Sequence, residues 1–260
     1  MQNLDLQEQL IMSYETDSVE YCAAGVMQWN LHAACDMQGK YNLKAQADVI
    51  LQCNPDVVVL NEVDNHCRRS GCVDMTRELG TLSGMVFTQF AGAWLLPPDG
   101  MYGNAVLSRW PMKLIGAWHI PATLQEARTL TLMQIYAPAP FYAAVTHLNP
   151  YRGEDSVLVQ VEAVRKIAEL LAKNAADHPV MLLGDFNCAP ESDPVRELAK
   201  AGWRLEKPLK SYPANEPRIS IDHIFIRSND RDMEVADRKV VECNQASDHV
   251  PILNNVKIRK

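Results

Sequence analysis

Five short apolar runs in this 260-residue chain each adjoin an acid, an asparagine or a histidine. Met27-Gln28-Trp29 stops at Asn30, and Val57-Val58-Val59-Leu60 stops at Asn61-Glu62. Ala143-Ala144-Val145-Thr146 stops at His147, and Val180-Met181-Leu182-Leu183-Gly184 stops at Asp185-Phe186-Asn187. Ser247-Asp248-His249 stands just before Val250-Pro251-Ile252-Leu253. Short apolar runs read as buried strands, and open α/β sheets build their sites at strand ends. One such junction means little. A set that presents oxygen and nitrogen donors and no thiolate predicts strand ends converging on a hard divalent cation such as Mg²⁺, with Mn²⁺ as a substitute.

The net charge of −7 argues against a tight, non-specific hold on a polyanion, although a local basic cleft would still serve a nuclease. The seven cysteines match no zinc-site spacing. They read as free, mostly buried thiols of a reducing cytoplasm, with a Cys67–Cys72 loop disulfide as the sharper alternative. Residues 1–20 are acidic and polar, without a basic leader or an apolar core, and read as a tail ahead of a single domain over 21–260. No stretch approaches the ~18 apolar residues of a membrane helix. A soluble, cytoplasmic monomer with no protein partner is expected, export without a cleavable signal remaining open.

Along the chain, a strand is expected at about 23–30, and Leu43, Ala47, Ile50 and Leu51 space a helix up to Asn54-Pro55-Asp56. A strand over 57–61 completes a βαβ-like unit. Asp74 caps a helix to Ser83. Strands follow near 85–90, 104–108, 112–119, 129–136 and 141–147, with Pro97-Pro98-Asp99-Gly100 as a turn. Leu158, Val161, Val164, Ile167, Ala168 and Leu171 stripe a long helix over 156–176. Then come a strand at 180–184, a helix at 191–200 with Pro194 in its first turn, and strands near 222–227, 232–240 and 252–258. The pattern suits two mixed sheets packed face to face with helices outside, a four-layer α/β sandwich.

Trp29-Asn30, Asn61-Glu62-Val63, Gly103-Asn104-Ala105-Val106-Leu107-Ser108-Arg109, Thr146-His147-Leu148, Gly184-Asp185-Phe186-Asn187, Ile221-Asp222-His223-Ile224 and Ser247-Asp248-His249 occur in that order. Over residues 22–258 the chain resembles the endonuclease/exonuclease/phosphatase superfamily, whose members include DNase I, repair nucleases, neutral sphingomyelinases and inositol polyphosphate 5-phosphatases. The resemblance implies a DNase I-like fold and Mg²⁺-dependent hydrolysis of phosphoesters. His147 is similar to its counterpart in DNase I and the sphingomyelinases, whereas repair nucleases usually carry tyrosine at that stage.

Within that frame each residue has a role and a plainer alternative. Glu62, behind four buried apolar residues, is the leading metal ligand, because an isolated buried charge is expensive. Asn30 offers the same ion a neutral oxygen, and Asp248 is a further ligand. Asp185 orients or deprotonates the attacking water, and Asn187, two residues on and on the same side of an extended segment, holds that water or a phosphate oxygen. An Asx turn ending a strand is the alternative. Asp222 on one ring nitrogen of His249 favours the imidazolium, which binds phosphate or acts as base; His223 reads as structural. His147 protonates the leaving oxygen or stabilises charge there. Asn104 touches phosphate or is a strand-edge residue, and Arg128 clamps phosphate or pairs with Glu126. Arg68-Arg69 reads as a site for a second phosphate or as a solvated charge cluster. Trp94, Leu95 and Leu96 read as an exposed lip or as core.

The expected activity is in-line attack of water on a phosphodiester, nuclease-like or general. The substrate is nucleic acid, lipid or small molecule. A sphingomyelinase-like headgroup phosphodiesterase or a phosphoinositide phosphatase is the alternative, and a non-catalytic phosphate-binding module stands behind it.

Overall fold

The computed structural model describes residues 21–260 except 125, 151–152, 176–177, 229–231 and 244. The expected tail, 1–20, lies outside the described residues. The first sheet contains β1 (Tyr21–Asn30), β2 (Val57–Asn65), β3 (Phe87–Leu95), β4 (Met101–Ser108), β11 (Met233–Val240) and β12 (Ile252–Arg259), in the order β11-β12-β1-β2-β4-β3. The second contains β5 (Met112–Ile120), β6 (Arg128–Ile135), β7 (Phe141–His147), β8 (Val180–Asp185), β9 (Arg204–Leu205) and β10 (Asp222–Arg227), in the order β5-β6-β7-β8-β10-β9. Among the described residues four α-helices flank them: α1 (Leu43–Cys53), α2 (Met75–Ser83), α3 (Glu154–Asn174) and α4 (Asp193–Lys200).

The central strands are apolar on both faces because both faces are covered. Val26, Val57, Val59 and Val106 of the first sheet meet Met133, Val145, Met181, Leu183 and Ile224 of the second in one core. The opposite face of the first sheet packs Met27, Trp29, Val58 and Leu60 against Leu43, Ala47 and Ile50 of α1 and Leu79 of α2. The outer face of the second packs Leu130, Leu182 and Phe225 against Val164, Ile167 and Leu171 of α3 and Leu198 of α4. The result is the expected helix–sheet–sheet–helix sandwich. Asp74 Oδ1 caps α2 by accepting from Arg77 N at 3.0 Å. Asn54 ends α1 in the left-handed conformation, φ 52°.

Two parallel pairs bring the site together. β1-α1-β2 sets Asn30 beside Asn61, and β7-α3-β8 sets His147 beside Asp185. Each is a right place for a site, since the carboxyl ends of neighbouring parallel strands open onto one crevice, and the two crevices face each other. The remaining strands are joined antiparallel.

Several boundaries differ from expectation. β2 does not end at Asn61-Glu62 but continues to Asn65 through a bulge. Leu60 pairs with Ala105 and Val63 with Gly103, so Asn61 and Glu62 together face Asn104. The extra residue, with Glu62 at φ 57°, lets both side chains turn inward where a regular strand would send them to opposite faces. β3 runs on to Leu95, and β4 begins at Met101, after the turn closed by Leu96 N to Gly100 O at 3.1 Å. The two-residue β9 and the short helical turns His32–Ala34 and Arg68–Ser70 have no periodic signal to announce them. All seven cysteines are free, so Cys67 and Cys72 form no disulfide.

Candidate active site

Gly184 permits the approach of β8 to β7. Its φ is +149°, and a Cβ there would lie 1.9 Å from the Thr146 carbonyl oxygen. Asp185 follows on the last position of the strand, only 2% exposed. Its backbone N–H donates to Asn61 Oδ1 at 2.9 Å, while Asn61 Nδ2 donates to Thr146 O at 2.9 Å and Asn104 Oδ1 at 2.8 Å. Asn61 thereby stitches the two sheets together directly beneath the site.

The Asp185 carboxylate is the hub. Oδ2 accepts from Asn30 Nδ2 at 3.0 Å and lies 3.6 Å from His147 Nε2 and 3.7 Å from His249 Nε2. Oδ1 accepts from Asn187 N at 2.8 Å, an Asx-type turn. Burial, then the neighbouring Asp222 carboxylate, push the Asp185 carboxyl up to about 7 against the pull of His249. Burial likewise raises the Glu62 carboxyl above its ordinary range, against the hydrogen bond from Asn30.

His249 Nδ1 donates to Asp222 Oδ2 at 2.7 Å. Burial disfavours the charged ring, but Asp222, then Asp185 and Asp248, outweigh it and raise His249 to about 10. Asp222 also accepts from Ser211 Oγ and, at 2.7 Å, from Gln28 Nε2. Burial alone would raise its carboxyl; the charge and hydrogen bond of His249, with those two donors, hold it below the usual range.

His147 differs. Arg128 Nη1 lies 3.1 Å from His147 Nδ1, and a guanidinium can only donate, so Nδ1 must accept. The neutral ring then carries its proton on Nε2. Burial first, then the charges of Arg128 and His249, press its pKa well below the ordinary histidine value. Asn187 Nδ2 donates to Leu148 O at 3.0 Å; its 3.1 Å approach to Nε2 sets two donors face to face in this tautomer and is not a hydrogen bond.

Glu62, Arg128, His147, Asp185, Asn187, Asp248 and His249 line one cavity of about 710 Å³. Within it the ligand atoms of Glu62, His147 and Asp185 lie within 4.8 Å of one another, as do those of Asp185, Asp222 and His249. The second trio is already satisfied by the His249–Asp222 bond. In the first, both His147 nitrogens are taken, Nδ1 by Arg128 and Nε2 by its proton, so the two carboxylates of Glu62 and Asp185 are the pair that fits a hard divalent ion. Two carboxylates are raised by burial, and the Asn30 amide nitrogen bridges them, 2.9 Å from Glu62 Oε1, supplying the partial positive charge they lack.

Several expectations need correction. Asn30 turns its nitrogen, not its oxygen, to the acids, because Oδ1 accepts from His32 N at 3.0 Å. Asn187 is not on an extended segment: its φ of 50° folds the chain back, and that turn carries its amide to His147. Asp248 stands at the rim beside His32 and is in neither trio. Asn104 is a buried partner of Asn61 beneath the cavity and not part of its lining. Arg128 does pair with Glu126, at 2.9 Å, yet it is buried in the cavity wall and its Nε has no hydrogen-bond partner among the described residues. Arg68 points out to Asp99, whereas Arg69 turns inward. Trp94 lines the cavity while Leu95 is exposed. Sequence reasoning missed Asn61, Gln28 and Ser211 as organisers. Only Asn61, at a strand–acid junction, carried any signal.

The sequence profile of the Endonuclease/Exonuclease/phosphatase family matches residues 27–249. This chain belongs to that family. Endonuclease/exonuclease/phosphatase members are generally hydrolytic phosphoesterases that use a divalent metal, and the Glu62–Asp185 cluster is where such an ion would be held. The uncharacterised protein YbhP of Escherichia coli (strain K12) is 21% identical over 251 residues, spanning 91% of this chain and 97% of its own. The crystal structure of a family member from Beutenbergia cavernae DSM 12333 superposes with a TM-score of 0.76 at 23% identity, over 91% of this chain and 72% of that one. The mannosyl-6-phosphatase of Bacteroides thetaiotaomicron VPI-5482 has a TM-score of 0.68 at 13% identity, over 90% and 99%. Among the described residues no helix is long and apolar enough to cross a membrane.

Proposed function

We propose that the protein is a Mg²⁺-dependent phosphodiesterase, nuclease-like or general, that directs water in line at phosphorus. The observation that carries this reading is the cavity floor. A raised carboxyl, a cationic histidine and a neutral histidine converge there beside a buried arginine, and phosphate oxygens would satisfy the two histidine donors. Glu62 and Asp185 would hold the ion, which when bound neutralises charge on the phosphoryl and leaving oxygens. Asp185, anionic once the ion is beside it, is placed at the centre of the cavity to orient the attacking water. His249, kept cationic by Asp222, binds a non-bridging oxygen and is thereby unsuited to the role of base. Neutral His147 offers Nε2–H to the developing charge on the leaving oxygen as a hydrogen-bond donor, in place of the proton delivery expected from a charged ring. Arg128 holds His147 Nδ1 as an acceptor and puts a positive charge in the wall beside the phosphoryl group.

The test is nicking of supercoiled plasmid and hydrolysis of bis(4-nitrophenyl) phosphate, each with Mg²⁺, with EDTA, and with Glu62→Ala, Asp185→Ala and His249→Ala. Metal-dependent cleavage lost in all three folded variants is expected. Near-normal turnover in any of them removes that residue's role. Tight metal binding without turnover on any phosphoester would turn the reading into a phosphate-binding module.

A further inference from the structure

Arg69 lies on the wall of the same cavity but outside the chemistry assigned above. Its Nε and Nη2 each donate at 2.7 Å to the two oxygens of Asp64, which is fully buried. That pair of hydrogen bonds to one carboxylate fixes the plane of the guanidinium. Its Cζ sits 5.5 Å above the ring of Tyr102, so stacking holds it as well. Nη1 has no partner among the described residues, and the side chain is 51% exposed. A counter-ion for Asp64 needs only the Nε–Nη2 edge. The rigid stacking and the free edge in a cavity wall are more than neutralisation requires. Tyr102 stands between two arginines, with Arg69 over its ring and its hydroxyl interacting with Arg128. Arg128, buried to 3% exposure, lines the cavity beneath it and adds a first positive charge there. Arg69 is the second cation of the array, nearer the mouth.

We infer that Arg69 is a specificity-determining residue that receives a second anionic group, a phosphate, carried by the substrate beside the scissile one. The inference rests on the phosphoester reading of this cavity and names the class of substrate it takes. The free Nη1 edge is already oriented, so little side-chain entropy is lost when it binds.

The experiment compares matched pairs: the 4-nitrophenyl phosphodiester of thymidine with and without a second phosphate on the sugar, and the corresponding pair built on glycerol. Binding of thymidine bisphosphate against thymidine monophosphate is measured in parallel by calorimetry with Mg²⁺. A charge-assisted contact predicts that the second phosphate raises kcat/KM and affinity about tenfold or more. Arg69→Met should bring both ratios to near one. Because that variant leaves Asp64 buried and unpaired, Asp64→Asn/Arg69→Gln, which replaces the ion pair by an amide pair, should give the same ratios in a stably folded protein. A preference confined to the thymidine pair identifies a nucleotide source, and one confined to the glycerol pair a lipid-type headgroup. No preference in either pair, or one that survives both variants, overturns the inference. Absent turnover with an Arg69-dependent preference in calorimetry would reject the phosphodiesterase reading and leave this site standing.

Discussion

Asp185 should destabilise the protein it serves. Its carboxyl is shifted from an ordinary 3.8 to about 7, chiefly by burial. Below pH ~4 the group is protonated in folded and unfolded chains alike and costs nothing. Between pH ~4 and ~7 only the unfolded chain releases its proton, so stability falls as pH rises. Above pH ~7 the whole penalty is present. That rise corresponds to an upper bound of about 4 kcal/mol. Asp185→Asn removes that penalty. The amide oxygen can still accept from Asn187 N, but the bond from Asn30 Nδ2 loses its acceptor, at a loss of about 1–2 kcal/mol. A net gain of about 2–3 kcal/mol at most at pH 8 is therefore expected, and a loss of about 1–2 kcal/mol at pH 4.

Urea unfolding of both proteins in EDTA across pH 4–9 measures this directly. The difference should grow with pH and level off near pH 7. Excess Mg²⁺ should then stabilise the native sequence and leave the variant nearly unmoved, because the variant lacks one of the two carboxylates. A variant less stable at pH 8, or a difference flat in pH, would refute the reading of Asp185 as a raised, unsatisfied acid.

Arg128→Met should lower kcat on bis(4-nitrophenyl) phosphate by about 10–100-fold, the loss of a positive charge beside phosphate, and should let the His147 pKa climb in an NMR titration. An unmoved His147 would separate the two residues. Ala33 lies in the left-handed region, φ 51°, between His32 and Ala34 which do the same. Ala33→Gly should raise stability by about 0.5–1 kcal/mol in denaturant, the left-handed penalty less the added chain entropy of glycine. Gly184→Ala forces a Cβ to 1.9 Å from Thr146 O, and should lower the urea midpoint by the equivalent of about 2–4 kcal/mol while reducing turnover through Asp185. A melting curve unchanged from the native one would mean β7 and β8 separate without penalty.

Elements whose signal is local were legible before any coordinates. Val57 to Leu60 and Val180 to Leu183 announce strands buried on both faces, and α3 announces itself by its apolar stripe. The βαβ-like unit over 23–61 already implied that Asn30 and Asn61 lie side by side, whereas the second such unit, which sets His147 beside Asp185, is seen only in the fold. Features that depend on one residue's backbone were not legible. The bulge that turns Glu62 inward, the fold-back at Asn187 and the left-handed turn at His32–Ala34 involve non-glycine residues with positive φ, which no composition or period reports. The direction of an amide is equally hidden: sequence offers Asn30 as an oxygen ligand for the metal, and a single backbone N–H two residues away turns that oxygen aside.

The deepest part of the site lies in neither category. Asp185 and Asp222 are paired across β8 and β10, both buried and equally acidic by sequence. Their environments drive them in opposite directions. Asp222 receives Gln28 from β1, Ser211 from the loop before β10 and His249 from the segment before β12, so its charge is satisfied and its pKa falls. Asp185 receives only Asn30 and one backbone N–H, and its pKa rises to about 7. A pair of like acids pushed apart in this way divides the labour between a fixed anion and a titrating one. The donors that decide which acid is which come from three separate stretches of chain. They meet only because the two sheets pack face to face, so the assignment belongs to the sandwich and not to the motif that carries either aspartate.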